Sequence, residues 1–186
     1  MALEDVLAQS ETRMKKAIEA LKHELASVRT GRAAPSLVEE LEVDAYGAAT
    51  PLVSLAAISA PEPRQIVIQP WDRNLIKAIE KAIIGSDLGL TPSNDGAVIR
   101  LNIPALNEER RKDLVKVLHK KVEDCRVEVR TLRRHAHDDL KSKEKSSGVT
   151  TDEVKRVEAQ LQKLTDRYIL TADEIGQAKE KEILSV

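Results

Sequence analysis

The segment Val115-Lys-Val-Leu-His-Lys-Lys-Val-Glu-Asp-Cys-Arg-Val-Glu-Val-Arg-Thr-Leu-Arg-Arg-His-Ala136 places an apolar side chain at every third or fourth position: Val115, Leu118, Val122, Cys125, Val129, Leu132 and Ala136. Three heptads of this alternation describe a helix with a narrow apolar seam, the kind that packs at a shallow angle along another helix over a long distance. Downstream, Lys145-Ser-Ser-Gly-Val-Thr-Thr-Asp-Glu153 reads as a helix end, a short turn and a fresh N-cap, with Thr150 or Thr151 ahead of two acids. A third stripe then runs through Val154, Val157, Leu161, Leu164 and Tyr168, with Ile175 one heptad on. So short a connection makes these two helices antiparallel neighbours. Upstream, Met14, Ile18, Leu21, Leu25 and Val28 keep the same spacing until Thr30-Gly31, a helix-ending pair. Helices over about 2–29, 107–145 and 150–185 form an elongated three-helix bundle, the two later ones rods of roughly 50–60 Å at 1.5 Å per residue.

Residues 31–105 follow another grammar. All seven prolines lie there (Pro35, Pro51, Pro61, Pro63, Pro70, Pro92 and Pro104), with five of the seven glycines; the others are Gly148, in the turn, and Gly176, which should weaken the last helix. Runs at 41–46, 65–69 and 98–103 alternate or are β-branched and predict strands. Asn94-Asp95-Gly96 predicts a turn before the last of them, and Asp72 predicts the N-cap of a helix through Leu75, Ile76, Ile79 and Ile83, ending near Gly85. The fold class expected is α+β: a bundle from 1–30 and 106–186, with a small β/α/β domain, 31–105, inserted in its first crossover. The two links, Arg29-Thr-Gly-Arg32 and Ile103-Pro-Ala-Leu106, lack an intervening helix and predict a hinge.

Composition agrees with slender helices. Of 186 residues 33% are charged and 2% aromatic: one Trp, two Tyr and no Phe, so the cores must be aliphatic. A single cysteine excludes an internal disulfide, and no apolar run approaches a membrane span. The N-terminus enters helical periodicity directly, unlike a signal peptide, and a cytoplasmic location is expected. The net charge of −1 excludes a generally basic nucleic-acid binder but hides an asymmetry. Residues 107–149 carry 13 basic and 9 acidic groups, whereas 31–106 carry 6 and 9. On a helical wheel Arg126, Arg130 and Arg133 fall within about 60° of one another, roughly 100° round from the seam, with Lys112 in line and Arg134 alongside. Planar guanidinium forks suit phosphate. Spacings of three or four offer Glu123 to Arg126 and Asp138 to Arg134 but nothing to Arg130 or Arg133.

Enzyme chemistry finds no footing. Cys125 sits on the apolar seam as a structural thiol, and His135 and His137, two apart on a helix, cannot chelate one metal. The common phosphate-cradle and zinc-protease signatures are absent, so no catalytic residue, metal or cofactor is expected. On charge and periodicity alone a helical scaffold with an inert charge stripe remains the alternative.

Specific strings go further. Val28-Arg-Thr-Gly-Arg-Ala-Ala-Pro-Ser36, Ala82-Ile-Ile-Gly-Ser-Asp-Leu-Gly-Leu-Thr-Pro-Ser-Asn-Asp-Gly96, Pro104-Ala-Leu-Asn-Glu-Glu-Arg-Arg-Lys-Asp-Leu-Val115, Val129-Arg-Thr-Leu-Arg-Arg134 and Lys163-Leu-Thr-Asp166 closely resemble the bacterial ribosome recycling factors, across both modules and both links. The resemblance implies an L-shaped monomer that binds the large ribosomal subunit through rRNA. With elongation factor G and GTP it would split the post-termination ribosome and release mRNA and tRNA, without being an enzyme. It implies rRNA contacts at Arg130 and Arg133, with Arg29, Arg126 and Arg134 as further contacts, and a hinge at Thr30, Gly31, Pro104 and Ala105. Ala105 and Asn107 stand where the family often has Pro and Thr; Asn107 remains a competent N-cap.

Overall fold

A computed structural model describes residues 2–185 and divides into two compact units. One unit takes the start of the chain through Leu25 together with Val115–Lys181; the other takes Ala26–Leu114 and the end of the chain from Glu182. The long helices are α1 (Leu3–Ala26), α3 (Glu108–Ser146) and α4 (Thr151–Leu184). Their limits lie close to those read from periodicity, except that α1 stops at Ala26, where the Ser36 hydroxyl donates to the Ala26 carbonyl. The start of α4 is a reciprocal capping box: Thr150 Oγ1 accepts from the Glu153 amide, and Glu153 Oε2 accepts from the Thr150 amide. Asn107 caps α3, its side-chain oxygen accepting from the Arg110 amide at 2.7 Å.

Within the helical unit the seam residues meet as the heptads require. Met14, Ile18, Leu21 and Leu25 of α1, Leu118, Val122, Cys125, Val129, Ala136 and Leu140 of α3, and Val154, Val157, Leu161 and Tyr168 of α4 are all buried. Val115 and Leu132 are only half-buried, while Leu140 joins the seam. An α-helix drifts about 20° per heptad against a strict 3.5 repeat, so a long seam trades residues at its edges. Ile175 is likewise half-buried, and Ala172 and Gly176 continue the α4 seam instead. A Cβ at Gly176 would lie 2.7 Å from Val122 Cγ2. This glycine is therefore a close-approach residue, and the weakening of helix propensity is exchanged for tighter helix contact. Cys125 is buried with its Sγ 3.7 Å from the Ala17 carbonyl, and burial pushes its thiol up to about 11.

Cross-helix pairs give the directions. His119–Glu180, Arg126–Asp173 and His137–Glu158 run antiparallel between α3 and α4, whereas Glu4–Arg156 and Glu11–Arg167 run parallel between α1 and α4. Tyr168 is the one aromatic inside this unit; its hydroxyl donates to Glu11 at 3.2 Å, and the Arg167 guanidinium lies 5.1 Å from its ring centre.

The second unit holds six strands where the alternation pattern predicts three: β1 (Glu42–Ala45), β2 (Ala48–Pro51), β3 (Ala56–Glu62), β4 (Gln65–Pro70), β5 (Pro92–Asn94) and β6 (Ile99–Asn102), with helix α2 at Ile76–Ile84. β1 and β2 pair as a hairpin, and the others form an antiparallel sheet in the order β3-β4-β6-β5. The three unpredicted strands are rich in alanine or proline and mostly exposed, so neither residue type nor alternation marks them; their partners' hydrogen bonds define them. The core is aliphatic throughout, with Val43, Leu52, Ile66, Ile68, Ile79, Ile83, Ile99 and Leu101 fully buried. Asp72 opens a 3-10 turn that leads into α2, accepting from the Asn74 amide as the sequence predicts. The β5–β6 turn is held by Asp95, which accepts from the amides of Ala97 and Val98 and from Arg100; these donors lower its pKa to about 2.

The β1–β2 loop is two residues, Tyr46-Gly47, with φ of 53° and 86°. Tight hairpin turns of this kind require positive φ at both central positions, which asparagine and glycine tolerate. A tyrosine there costs roughly 1–2 kcal/mol.

Candidate nucleic-acid interface

Helix α3 carries the basic face, and the structure sorts its arginines by how far each is already engaged. Arg126 is fixed: Nη1 donates to Glu123 at 2.9 Å, Nε donates to Asp173 Oδ1 at 2.6 Å, and the side chain is half-buried against α4. Glu123 first and then Asp173 raise its pKa. Arg130 lies 3.5 Å from Glu123 Oε1, two helical turns back, so the rule of three or four residues missed its acid. That pair is half-exposed and correspondingly weak.

Arg133 and Arg134 have no hydrogen bond or ion pair among the described residues. The expected Arg134–Asp138 pair does not form; Asp138 sits 3.7 Å from His137 Nδ1 instead. His137 and Lys141 in turn lie 3.2 and 3.4 Å from Glu158 of α4. Lys112 is paired with Glu108 at 3.3 Å. The arrangement therefore leaves two adjacent guanidinium groups open, with a third loosely held one turn before them.

A cleft of about 500 Å³ opens beside this face between α3 and α4, over Gly176. Its walls carry Glu123, Arg126 and Asp173, whose charges are paired with one another, and His119, whose Nε2 lies 3.2 Å from Glu180 Oε2. Such a cleft is closed electrostatically, and Asp173 and Gly176 carry no sequence signal beyond the heptad register that brings them opposite Arg126 and Val122.

Arg29 is placed differently. It is half-buried in the first link, where Nη2 donates to the Pro104 carbonyl of the second link at 3.1 Å. Its Nε is buried without a partner, and its pKa is lowered by that burial and by the nearby positive charge of Arg110. Main-chain bonds secure both links to the β3–β4 turn: Ala33 N donates to the Pro63 carbonyl and Ile103 N to the Arg64 carbonyl, each at 2.7 Å. Thr30 and Gly31 are buried, Gly31 with a φ of 82°, while Pro104 and Ala105 are exposed.

Among the described residues no group of three His, Cys, Asp or Glu side chains could hold a metal ion, and no helix is long and apolar enough to cross a membrane.

Comparison with known proteins returns one family. The model of the ribosome recycling factor family matches residues 21–184. The ribosome-recycling factor of Carboxydothermus hydrogenoformans is 54% identical over 184 residues, 99% of this chain and 100% of the relative. That of Chloroflexus aurantiacus is 55% identical over 184 residues with the same coverage. A solution structure of the ribosome recycling factor aligns with a TM-score of 0.80 at 49% identity, over 100% of this chain and 99% of its own. A second structure, of the T. thermophilus ribosome recycling factor with E. coli elongation factor G on the E. coli post-termination complex, aligns with a TM-score of 0.69 at 49% identity, over 99% of this chain and 100% of its own. A match spanning both units leaves no ground for the bare helical scaffold.

Proposed function

This chain belongs to the ribosome recycling factor family, and from that premise we propose that the arginine face of α3 is the surface it lays on ribosomal RNA of the large subunit. With elongation factor G and GTP the protein splits the post-termination ribosome, freeing mRNA and tRNA for another round of translation. It is not an enzyme; nucleotide hydrolysis belongs to the elongation factor. It acts as a monomer in the cytoplasm, where the ribosomes are.

One observation carries the site assignment: Arg133 and Arg134 are unpartnered on a helix whose neighbouring cations are tied to acids. A guanidinium free of internal bonds loses nothing when it turns to a phosphate, and its fork binds two oxygens at once. Arg130 can follow by releasing a long, exposed pair. Arg126 contributes by holding α3 to α4: Nη1 is engaged by Glu123 and both Nε and Nη2 by Asp173, so an rRNA contact there requires release of one of these acids. Arg29 crowded by Arg110 forms a cationic pair that an RNA phosphate would relieve.

The bundle, residues 1–30 and 106–186 in the sequence reading, is then the ribosome-binding domain, and residues 31–105 form the mobile one. By contacts alone Ala26–Leu114 cluster together, so the four pivots fall within that unit's edge. The pivots are Thr30, Gly31, Pro104 and Ala105, which lie just outside the anchors that Ala33 and Ile103 make on the β3–β4 turn. The elongation factor pushes the mobile domain, and the stiff bundle passes the load to the ribosome.

Binding to isolated large subunits tests the surface. The logarithm of affinity should fall by about 0.7–0.9 per contacted phosphate for each tenfold rise in salt. Arg133→Ala should reduce both affinity and slope; unchanged binding would refute the arginine assignment. A distance measurement between labels on residues 16 and 57 should give a broad distribution, and a single sharp distance would exclude the hinge.

A further inference from the structure

A single carboxylate faces two of the arginines on the basic side of α3. Glu123 Oε2 accepts from Arg126 Nη1 at 2.9 Å, while Glu123 Oε1 lies 3.5 Å from Arg130 Nη1. The two oxygens of one group thus reach guanidinium groups three and seven residues further along the helix. A phosphate bridging the same side chains would present its oxygens in the same way. The acid stands where a phosphate of a docked RNA would stand. Both anions cannot hold the same nitrogen edges at once.

The neighbouring contacts decide what gives way. Asp173 grips Arg126 through both Nε and Nη2, and its side chain is 31% exposed, against 51% for Glu123. Glu123 holds each arginine through one nitrogen only. A long pair between half-exposed side chains is screened by water and weak, so Arg130 is released before Arg126. Among the described residues no other acid pairs with Arg130, and Arg133 and Arg134 meet none. The face is therefore graded from two open guanidinium groups, through one loosely occupied, to one braced on α4.

We propose that Glu123 is an internal competitor for the rRNA backbone: it occupies Arg130 and one edge of Arg126 in the free protein, is displaced from Arg130 when α3 docks, and so sets an upper limit on how tightly the face holds the large subunit. This rests on the arginine face of α3 being the rRNA surface, as proposed above. The competition has a use. A protein that serves many ribosomes in turn must leave each one, and an acid among the cations opposes the attraction that holds phosphate. Glu123 differs in this from Asp173, which ties Arg126 across to α4 and serves the bundle.

The test measures the full chain on isolated large subunits over a salt series. Glu123→Gln removes the charge but keeps an oxygen that can accept from Arg126 Nη1, and thermal melts should match the parent. The variant should bind about threefold more tightly at low salt, the worth of one exposed pair. Its salt slope should steepen by up to about 0.9, since one more phosphate is neutralised, and the gain should fade as salt rises. In an Arg130→Ala background most of that gain should vanish, because the guanidinium that Glu123 withholds is gone. Equal or weaker binding by Glu123→Gln would overturn the proposal and make the acid a brace that orders the arginines. A gain of the same size with and without Arg130 would overturn it too, as a diffuse effect of net charge. Failure of the underlying reading shows separately: if Arg130→Ala and Arg133→Ala both bind as the parent does, the rRNA surface lies elsewhere, whatever Glu123→Gln does.

Discussion

In the helical unit charged side chains work across helices, whereas in the α/β unit polar side chains work within turns. Glu4, Glu11, Glu24, Glu158 and Asp173 each meet a cation on another helix, so the bundle's acids act as cross-braces. Asp44, Asp72, Asn94 and Asp95 instead accept from main-chain amides two or three residues on and shape the loops. Each unit therefore leaves a different remainder on its surface. On α3 the bundle leaves the adjacent Arg133 and Arg134 open; the α/β unit leaves the rings of Tyr46 and Trp71 exposed. What a region exposes unpaired is set by how it satisfies everything else.

The largest expected effect separates the two cores. Leu118→Ala empties a fully buried site in the bundle and should cost about 2–5 kcal/mol. Hydrogen exchange at Ile66 and Ile68 should stay protected if the units unfold independently; loss of protection there would merge them into one cooperative block. Gly176→Leu comes next. It forces a side chain onto Val122 and should lower bundle stability by roughly 1–3 kcal/mol in denaturant unfolding. A stabilised variant would show that α3 and α4 can separate freely.

Arg126→Ala and Arg133→Ala then sharpen the line between bracing and binding. The first removes a partly buried charged pair and should cost about 1.5 kcal/mol of stability. The second should stay within about 0.5 kcal/mol while ribosome affinity drops. Reversed results in thermal melts would exchange the two roles. The smallest effect is acid titration of the α/β unit. The folded pKa of Asp95, about 2, lies below its ordinary value of 3.8, so its contribution is present above pH 4 and lost as pH falls toward 2. The Asp95→Asn variant should lack that part of the acid limb, and NMR titration of the Asp95 carboxyl should place its midpoint near 2.

Much of this was legible in the chain. Heptads at Met14, Leu118 and Val157 located the bundle because a long seam repeats its signal many times. Thr150, Asn107 and Asp72 announced helix starts because a cap is local chemistry. The short strands at 48–51, 56–62 and 92–94 were invisible because pairing with distant neighbours, not residue preference, makes them strands. The face of α3 was half legible. Its cations are on the wheel, yet which remain free depends on Glu123 two turns away and on Asp173, 47 residues from Arg126. Tyr46 gave no warning, because an aromatic residue in a left-handed turn contradicts the propensity a reader applies.

The order of elements in the chain has a consequence for synthesis. The apolar face of α1, Met14 through Leu25, is covered by α3 and α4, which follow only after the whole α/β unit has been made. At about 5–20 residues per second, more than ninety residues separate Ala26 from Leu118, and the nascent helix waits roughly 5–20 s for its first partner. Through that interval the earliest helix of a translation factor emerges from the ribosome with its seam open, and the polar half of its surface must keep it soluble until the chain closes over it.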